Sequence, residues 1–541
     1  MIHWKKISIL AIALLCISAT TIKNDRLFEI AKNIDIFVNV YKTLNAQYVD
    51  DLDPSHLMRI GIDAMVGSLD PYTNFISEAQ VESYRISTEG KYQGIGAIVK
   101  KIDDYVTIVE PYAGSAVIKA GLEAGDQIIS IEGKSTKGKS QEEVTTFFRG
   151  IPGTNVQLGI RRDGTPDFDV DIVRGQVSIP NVPYSGFVGD KIGYVALTTF
   201  TADAGKNIRK AIRELKNEDN NIKGLILDLR SNGGGLLKEA ISVSNIFVPQ
   251  NQEVVSVKSK VRERNTSYKT LALPLDLDIP LVVLINKTSA SASEIVSGVI
   301  QDMDRGVLMG QRSYGKGLVQ NTQDVGYNSR VKVTTSKYYI PSGRCIQSVE
   351  YKDGEPVDIA DVNRSKFKTK GGRTVLDGGG VTPDIKLEPA KVPEVLKALQ
   401  DQYLIFKYAD QYVADIDTTG LKVEEIVFTD YEEFKGFVQQ KEFEYESKNE
   451  KLLKEVIDNL KVEDNAAITT DVNAVSKKIE ISKASALDAN KQDIVDAIEL
   501  EIATQLHLQE GKVYQKLKDD KEIVKAVELL LDTERYSSIL K

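Results

Sequence analysis

The sequence predicts a multidomain α+β protein, in which a helical segment, a β-rich module, an α/β core and a helix-rich region follow one another. The chain has 541 residues, and domains of about 150 residues predict three or four of them. The spacing of apolar residues changes near residues 92, 180 and 393. After Pro393 there is no further proline and glycine is rare, which is typical of a long helical region.

Composition excludes several classes of protein. The chain has 69 Lys and Arg against 78 Asp and Glu, a net charge of −9 spread along its length, which argues against a nucleic-acid-binding protein. The two cysteines, Cys16 and Cys345, exclude a disulfide scaffold and a cysteine-rich zinc site. The histidines are His3, His56 and His507, so hydrolytic chemistry in the middle of the chain needs a base other than imidazole.

Residues 1–24 have the layout of a secretory signal. Lys5 and Lys6 precede an apolar run, Ile7–Ala19, which is short for a membrane-spanning helix. No clear Ala-x-Ala cleavage site follows it, so a cleaved signal peptide and a retained membrane anchor both remain open. In either case we expect the rest of the chain to be exported, to the periplasm or cell envelope, and to be soluble.

The pattern of each later segment predicts its structure. Residues 25–85 carry apolar side chains at three- and four-residue spacing, which predicts helices, with a break at SLDPY (68–72). Residues 86–176 contain short β-branched runs separated by glycines and predict a β-rich module. Residues 177–390 alternate apolar strands with amphipathic helices, as in α/β folds, and residues 391–541 predict helices.

Three serines form the first candidate site, because Ser289, Ser291 and Ser293 lie between a predicted strand and a predicted helix. Ser291 and Glu294 match a capping box, which is a purely structural explanation. A serine at a helix N-terminus is also well placed as a nucleophile, since free N–H groups face a developing oxyanion. The two explanations are compatible, and the pattern alone does not choose among the serines.

Lys316 is the second candidate, because it lies between two glycines after an apolar strand. A lysine among apolar neighbours loses charge more easily and can act as a general base, so serine with neutral lysine is an economical dyad. The third candidate is the glycine-rich turn Gly233–Gly235, which suits an oxyanion hole, a phosphate or simply a tight turn. A nucleotide-binding P-loop is excluded because Gly317 stands where Ser or Thr would hold Mg²⁺.

Together these motifs resemble the C-terminal processing peptidases, or tail-specific proteases, of serine peptidase family S41. The resemblance extends from about residue 40 to residue 390. It is carried by KTSASASEI (287–295), YGKGLVQ (314–320), DLRSNGGG (228–235), SLDPYT (68–73), AGLEAGDQIISIEG (120–133), YYIPSGR (338–344) and GVTPDI (380–385). It implies that residues 86–176 form a PDZ domain and that residues 177–390 form an S41 protease core of the ClpP/crotonase type.

The resemblance also implies roles for individual residues. The family's lysine base follows its serine nucleophile by 25 positions, which selects Ser291 as the partner of Lys316. Gln320 matches a glutamine that orients the lysine, and Asp302 matches an acidic position that some members need for activity. N–H groups of Gly234 or Gly235 and of Ala292 would form the oxyanion hole.

In the PDZ domain, the resemblance implies a loop that captures a peptide carboxylate beside an apolar pocket. Arg149 resembles an arginine that couples tail binding to assembly of the active site. The residues expected to bind peptide are Gly94, Ile95, Gly96, Ala97 and Arg149.

We therefore expect a serine endopeptidase that recognises and processes apolar C-terminal tails of envelope proteins, without a metal or other cofactor. Two alternatives remain open: a non-catalytic PDZ adaptor of the cell envelope, and a chaperone whose helical region 391–541 holds the substrate. The sequence leaves open the natural substrates, the resting state of the PDZ domain, the oligomeric state and membrane association through the N-terminus.

Overall fold

The computed structural model describes residues 26–347, 351–352, 355–357, 360–462 and 466–541. The predicted signal or anchor over residues 1–24 lies outside these residues. The chain divides into two compact units: the first comprises residues up to Ala79 together with Gln320–Thr334, and the second comprises Gln80–Val319 and Thr335–Lys541. Within the described ranges, no helix combines the length and apolarity needed to cross a membrane.

The first unit is mainly helical, as the spacing predicts. Helix α1 covers residues 26–47, and α2 covers Pro54–Gly67. Asp53 caps α2 by accepting hydrogen bonds from two backbone N–H groups, and proline occupies the first helical position, where its missing N–H costs nothing. A short strand that the sequence did not indicate, β1 (Asn74–Ile76), pairs antiparallel with residues 330–332.

The β-rich module opens the second unit. Its six-stranded sheet has the order β3-β4-β5-β7-β8, with β6 beside β5, and β2 pairs with β9. The sheet and helices enclose one apolar core. The elements are α3 (Glu78–Glu89), β2 (Lys91–Gly94), β3 (Ala97–Ile102), β4 (Tyr105–Pro111), α4 (Ala116–Lys119), β5 (Gln127–Ile131), β6 (Lys134–Ser135), α5 (Gln141–Phe148), β7 (Asn155–Arg161), β8 (Phe168–Val173) and β9 (Gly175–Ser178).

The α/β core is built on a six-stranded sheet of order β10-β11-β12-β15-β16-β23, parallel except for β10. Its central strands are continuous apolar runs because both faces are covered. Helices α6, α7 and α8 cover one face. The elements are β10 (Ser185–Val188), β11 (Ile192–Ala196), α6 (Ala204–Glu218), β12 (Gly224–Asp228), α7 (Leu237–Phe247), β13 (Glu253–Ser259), β14 (Thr266–Lys269), β15 (Leu281–Ile285), α8 (Ala292–Asp302) and β16 (Val307–Gly310).

Further strands follow helix α8 and strand β16. Strand β13 pairs with β14 and with residues 336–339 of β18. These later strands are β17 (Leu318–Gly326), β18 (Ser329–Tyr339), β19 (Tyr351–Lys352), β20 (Glu355–Pro356), β21 (Lys366–Lys368), β22 (Thr374–Leu376) and β23 (Ile385–Lys386).

The C-terminal region is helical, as the loss of glycine and proline predicts. Its first helices enclose an aromatic-rich core, and the long helix α15 has non-helical backbone angles at Leu508. The helices are α9 (Glu394–Asp401), α10 (Leu404–Asp415), α11 (Tyr431–Gln440), α12 (Lys448–Val462), α13 (Ala466–Ala484), α14 (Ala486–Ala489), α15 (Lys491–Lys518), α16 (Lys521–Leu531) and α17 (Thr533–Ile539).

Helices α16 and α17 cover the second face of the core sheet. Buried side chains of both helices pack against strands β11, β12, β15 and β16. The Tyr536 hydroxyl lies 2.8 Å from the Leu281 N–H and 3.1 Å from the Leu281 carbonyl oxygen. The α/β core therefore has helices on both faces, and the second layer comes from a part of the sequence far beyond residue 390.

The C-terminal helices also contact the β-rich module. Lys512 of α15 pairs with Glu110 of β4 at 2.6 Å, and Lys407 of α10 pairs with Asp103 at 2.7 Å. Phe406 packs into a small apolar cluster with side chains of the module.

Candidate active site

Ser291 lies at the turn between strand β15 and helix α8, immediately before the first helical residue. Its backbone has φ 55° and ψ −110°, a conformation that a residue other than glycine adopts only when its surroundings impose it. Strain of this kind concentrates at functional sites. The turn therefore presents the Ser291 side chain at the N-terminus of a helix whose residues are all buried.

The structure distinguishes the three candidate serines. The side chains of Ser289 and Ser293 are fully buried, and each hydroxyl donates to a backbone carbonyl of the segment after β12: Ser289 to Leu229 and Ser293 to Asn232, both at 2.8 Å. Ser291 is half-buried. Two of the serines therefore hold neighbouring segments together, and Ser291 has the accessibility that a nucleophile needs.

Glu294 joins the nucleophile turn to the lysine loop. Its fully buried carboxylate accepts hydrogen bonds through Oε2 from the N–H groups of Ser291, at 2.8 Å, and Lys316, at 2.9 Å. Through Oε1 it accepts from the Gly315 N–H at 2.7 Å and the Ser313 hydroxyl at 2.6 Å. Burial raises the pKa of Glu294, and these four donors oppose that shift. Because all four neighbours donate, they match the ionised carboxylate.

Tyr338 makes a second connection between the same two segments. Its buried hydroxyl donates to the Lys316 carbonyl oxygen and lies 3.2 Å from the Ser291 carbonyl oxygen. Glu294 thus holds the amides of Ser291 and Lys316, while Tyr338 donates to the Lys316 carbonyl beside the Ser291 carbonyl. The structure therefore brings the two residues of the predicted dyad together through their backbones.

The predicted oxyanion donors lie beside Ser291 in the segment Leu229–Gly235, here called the oxyanion loop. A Cβ added to Gly234 would lie 2.9 Å from the Ser291 Cβ, and Gly234 has φ 98°, so only glycine fits there. The Gly234 N–H donates to Oδ1 of Asn232 at 2.9 Å. Among the described residues, the N–H groups of Gly235 and Ala292 have no hydrogen-bond partner. Gly235 and Ala292 are therefore better placed than Gly234 to donate to an oxyanion.

An ion-pair cluster lies at the start of the oxyanion loop. Arg230 pairs with Asp228 at 2.6 Å, with Asp520 at 2.7 Å and with Glu522 at 2.8 Å. The Tyr194 hydroxyl donates to Asp228 at 2.8 Å. Burial alone would lower the pKa of Arg230, but its carboxylate partners raise it above the ordinary value.

Gln320 belongs to the first compact unit, whereas Ser291 and Lys316 belong to the second. In that unit its Nε2 donates to the Thr334 hydroxyl at 3.3 Å, and this hydroxyl donates to Asp70 at 3.2 Å. The side chain is half-buried. The contacts of Gln320 within its own unit thus connect it to the SLDPYT motif.

Asp302 lies at the opposite end of α8 from Ser291. The helix has 11 residues, so its ends are about 16 Å apart. Asp302 pairs with Arg344 at 2.8 Å, with both side chains almost fully buried, and accepts from the Ser342 N–H at 2.9 Å. These contacts hold the turn after β18 rather than the nucleophile.

The predicted peptide-binding residues cluster at the start of the β-rich module. Ile95 is buried in its core, and Gly96 has φ 89° with no room for a side chain. Burial raises the pKa of Tyr92, and hydrogen bonding to the amides of Ala97 and Gly96 opposes that shift.

Arg149 and Gly94 flank the same loop. Arg149 donates to the Ser83 hydroxyl at 3.5 Å, and its charge acts on the Tyr92 hydroxyl. A Cβ added to Gly94 would lie 2.9 Å from the Tyr92 ring. The structure thus places all the predicted peptide-binding residues around one loop.

Sequence reasoning gave no catalytic position to Glu294 or Tyr338. In the sequence, Glu294 could be recognised only as the last residue of a capping box. The hydrogen bond that it accepts from the Ser291 N–H fits that pattern. Its contacts with Gly315 and Lys316 depend on the fold. Tyr338 lies in the YYIPSGR motif, but nothing local indicates that its hydroxyl bridges two distant turns.

Among the described residues, no cluster of His, Cys, Asp and Glu could hold a metal ion.

Three family profiles match consecutive parts of the chain. The sequence profile of peptidase family S41 matches residues 191–357, and the PDZ domain profile matches residues 84–161. A profile described as "Probable PDZ-protease, C-terminal helical domain" matches residues 395–530. The PDZ profile therefore corresponds to the β-rich module, the S41 profile to the α/β core, and the third profile to the C-terminal helices.

Curated relatives identify the family. A "Probable CtpA-like serine protease" of Staphylococcus aureus is 34% identical over 368 residues, covering 66% of this chain and 73% of the relative. A "Carboxy-terminal-processing protease" of Bartonella bacilliformis is 34% identical over 340 residues, covering 62% and 78%. The solved photosystem II D1 C-terminal processing protease shares 25% identity, covering 67% and 94%, with a TM-score of 0.36. The chain belongs to the S41 serine peptidases, as a C-terminal processing peptidase with a PDZ domain.

Proposed function

We propose that this peptidase uses Ser291 as nucleophile and Lys316 as general base to process C-terminal tails of envelope proteins. The observation that carries the proposal is the shared anchoring of the two residues: one buried carboxylate, Glu294, accepts from both backbone amides. A fixed backbone at both residues limits the geometries that their side chains can adopt, which is what a dyad requires.

In the proposed reaction, the Ser291 Oγ attacks the scissile carbonyl carbon while neutral Lys316 takes the hydroxyl proton. The negative oxygen of the tetrahedral intermediate accepts from the N–H groups of Ala292 and Gly235. The C–N bond then breaks, Lys316 returns its proton to the leaving amine, and an acyl-enzyme remains. Water, deprotonated by Lys316, hydrolyses that ester and frees Ser291.

The test compares Ser291→Ala and Lys316→Ala with the wild type on a peptide that has an apolar C-terminal tail. We expect both variants to lose cleavage while their thermal unfolding midpoints stay close to that of the wild type. Ser297→Ala is a matched control, because the Ser297 hydroxyl donates within its own helix, to Ser293. A fluorophosphonate probe should label Ser291 of the wild type. Substantial cleavage by either dyad variant would show that the dyad is wrong.

Tail recognition has its own test, because PDZ domains capture the terminal carboxylate in a backbone nest. A peptide that ends in a carboxamide should bind more weakly than the same peptide with a free carboxylate. Equal binding of both peptides would contradict tail recognition by the loop around Gly96. A tailed protein that binds and stays equally intact with wild type and Ser291→Ala would instead support the adaptor.

Deleting residues 395–541 would not by itself test the chaperone alternative. That deletion also removes α16 and α17 from the core sheet, so a loss of activity would not assign a holding role to the region.

Envelope localisation is likewise a proposal, supported by the basic and apolar N-terminal pattern. Cell fractionation and N-terminal sequencing of the mature protein test it, and a purely cytosolic protein would contradict it.

A further inference from the structure

The C-terminal helical region reaches the oxyanion loop, and we propose that Asp520 and Glu522 are positioning residues for the oxyanion hole, acting through Arg230. This inference rests on the proposed peptidase mechanism, because it concerns the amides that would stabilise the tetrahedral intermediate. Neither carboxylate is expected to touch the substrate. The α/β core would then depend on residues that lie outside the S41 match of residues 191–357 and inside the C-terminal helical match of residues 395–530.

The geometry of Arg230 is the first support. Its Nη1 lies 2.7 Å from Oδ2 of Asp520 and 2.8 Å from Oε2 of Glu522. On the other side, its Nε and Nη2 contact the carboxylate of Asp228 at 2.6 to 3.1 Å. All four side chains are at most 18% exposed. Charge-assisted contacts on both sides of a planar guanidinium fix its orientation.

The position of Arg230 in the chain is the second support. It directly precedes Ser231, which has φ 59°, and the loop then continues to Gly234 beside Ser291. The loop also contacts the nucleophile turn, where Asn286 accepts from the Ser231 N–H at 2.9 Å, and the segment after β11, where the Leu197 carbonyl accepts from the Asn232 side-chain amide at 2.7 Å. Arg230 is where the loop is attached to a separate helix. Movement of this attachment would shift the loop against Ser291.

The rigidity of the two carboxylates is the third support. Asp520 caps α16, because its Oδ1 accepts from the N–H groups of Glu522 and Ile523 at 2.8 and 3.2 Å. Ile523 and Leu530 of this helix are buried against the core sheet. Acidic residues at a helix N-terminus are also favoured by the helix dipole. The sheet that ends in the oxyanion loop therefore also holds the helix that carries the carboxylates.

The experiment must separate positioning from general stabilisation. The variants are Asp520→Asn, Glu522→Gln and the double variant; asparagine keeps a good capping oxygen, so the helix start is preserved. Glu528→Gln is the matched control, because Glu528 is exposed on the same helix. The readouts are kcat, KM, the thermal unfolding midpoint and the affinity for a peptide boronic acid, whose tetrahedral adduct mimics the oxyanion.

We expect the double variant to lose at least about tenfold in kcat, with a parallel loss of boronic acid affinity, while KM and the unfolding midpoint match Glu528→Gln. A kcat and a boronic acid affinity within about twofold of that control would overturn the proposal. A loss of kcat would also overturn the proposal if the variant unfolds more easily and its affinity for the boronic acid is unchanged. If the double variant does not fold, Glu522→Gln alone, which leaves the cap intact, decides by the same readouts.

Ser291→Ala distinguishes a failure of the proposed peptidase mechanism from a failure of the positioning assignment. If Ser291→Ala still cleaves the peptide, the proposed function fails and the positioning assignment fails with it. If Ser291→Ala is inactive and the double variant behaves like Glu528→Gln, the positioning assignment alone fails.

Discussion

Helix α8 carries a buried carboxylate near each end, and the two are stabilised in opposite ways. Near the N-terminus, Glu294 accepts from four uncharged donors. At the C-terminus, Asp302 pairs with the guanidinium of Arg344. The helix dipole favours a negative charge at the first position and disfavours it at the second, so Asp302 requires a cation where Glu294 does not. The partners of a buried carboxylate therefore indicate what its removal would disturb.

The contacts of Glu294 are the backbones of the predicted dyad, whereas those of Asp302 belong to a turn about 16 Å away along the helix. Burial raises the pKa of both groups; neutral donors oppose the shift at Glu294, and Arg344 opposes it at Asp302. Removing the first carboxylate should disturb catalysis most, and removing the second should disturb stability most.

The largest effect is expected for Glu294→Gln. A glutamine side chain has one acceptor oxygen, so either the Ser291 and Lys316 amides or the Gly315 amide lose their acceptor. We expect kcat to fall on the order of a hundredfold, measured by peptide hydrolysis. Glu239→Gln is the matched control, because Glu239 is also buried and accepts from a backbone amide that belongs to neither dyad residue, that of Gly205. Equal kcat values for Glu294→Gln and Glu239→Gln would contradict the expectation that the contacts of Glu294 matter for catalysis.

The next effect is a loss of stability in Asp302→Asn. Removing one partner of a buried pair leaves Arg344 uncompensated, which costs about 3–5 kcal/mol. Urea unfolding measures this loss, and kcat per folded molecule should fall less than in Glu294→Gln. Adding Arg344→Met should recover part of the stability, because apolar replacement of a buried pair is often tolerated. A variant with unchanged stability and no activity would place Asp302 in catalysis.

A smaller effect tests the N-terminal end of α8 more finely. The Ser293 hydroxyl donates to the oxyanion loop, whereas the Ser297 hydroxyl, one turn later, donates within the helix. Loss of a contact worth about 1 kcal/mol corresponds to about a fivefold fall in kcat, which we expect for Ser293→Ala only. The ratio of the two kcat values measures how strongly the loop depends on this contact, and a ratio near one would contradict that dependence.

The smallest effect concerns a third carboxylate, Asp410, for which the described residues supply neither four donors nor a paired cation at close range. It lies against Gly125 of the β-rich module, where an added Cβ would be 2.1 Å from its Oδ1. Burial, helped by neighbouring acids, raises its pKa from 3.8 to about 7. The neighbouring charges are Asp163, Asp126 and Glu123, which raise the pKa, and Arg162, which lowers it.

The raised pKa predicts a direction of pH dependence. The folded protein keeps the Asp410 proton up to about pH 7, while the unfolded chain releases it near the ordinary pKa of 3.8. The stability from this group is therefore complete below that value and falls as pH rises to about 7. Thermal unfolding at pH 5 and pH 8 should show a smaller difference in Asp410→Asn than in the exposed control Asp415→Asn. Equal differences would contradict the shift.

The local pattern of apolar residues was enough to predict which segments form strands and which form helices. Strands such as Leu281–Ile285 are apolar runs, and helices such as Lys521–Leu531 have one apolar face. The periodicity of α16 shows that it is amphipathic, but not that its apolar face covers a sheet formed more than 200 residues earlier. The family fold followed from several motifs in the expected order, and the comparisons confirm it.

The site was predictable in part. The resemblance to the family, through its 25-residue interval between serine and lysine, selected Ser291 as the partner of Lys316, and the roles of both residues stay predictions. The strain at Ser291 and the use of Ser289 and Ser293 as tethers required the fold. The bridge made by Glu294 joins residues more than 20 positions apart, and no local rule connects them.

The position of α17 has a consequence for biosynthesis. The Tyr536 hydroxyl bonds the Leu281 backbone across 255 residues of sequence, and translation adds about 5–20 residues per second. The apolar sheet face that α16 and α17 cover thus stays open for roughly ten to fifty seconds after strand β15 is made. During that interval the nascent chain presents an unfinished hydrophobic surface, so we expect it to depend on chaperones until its last helices arrive.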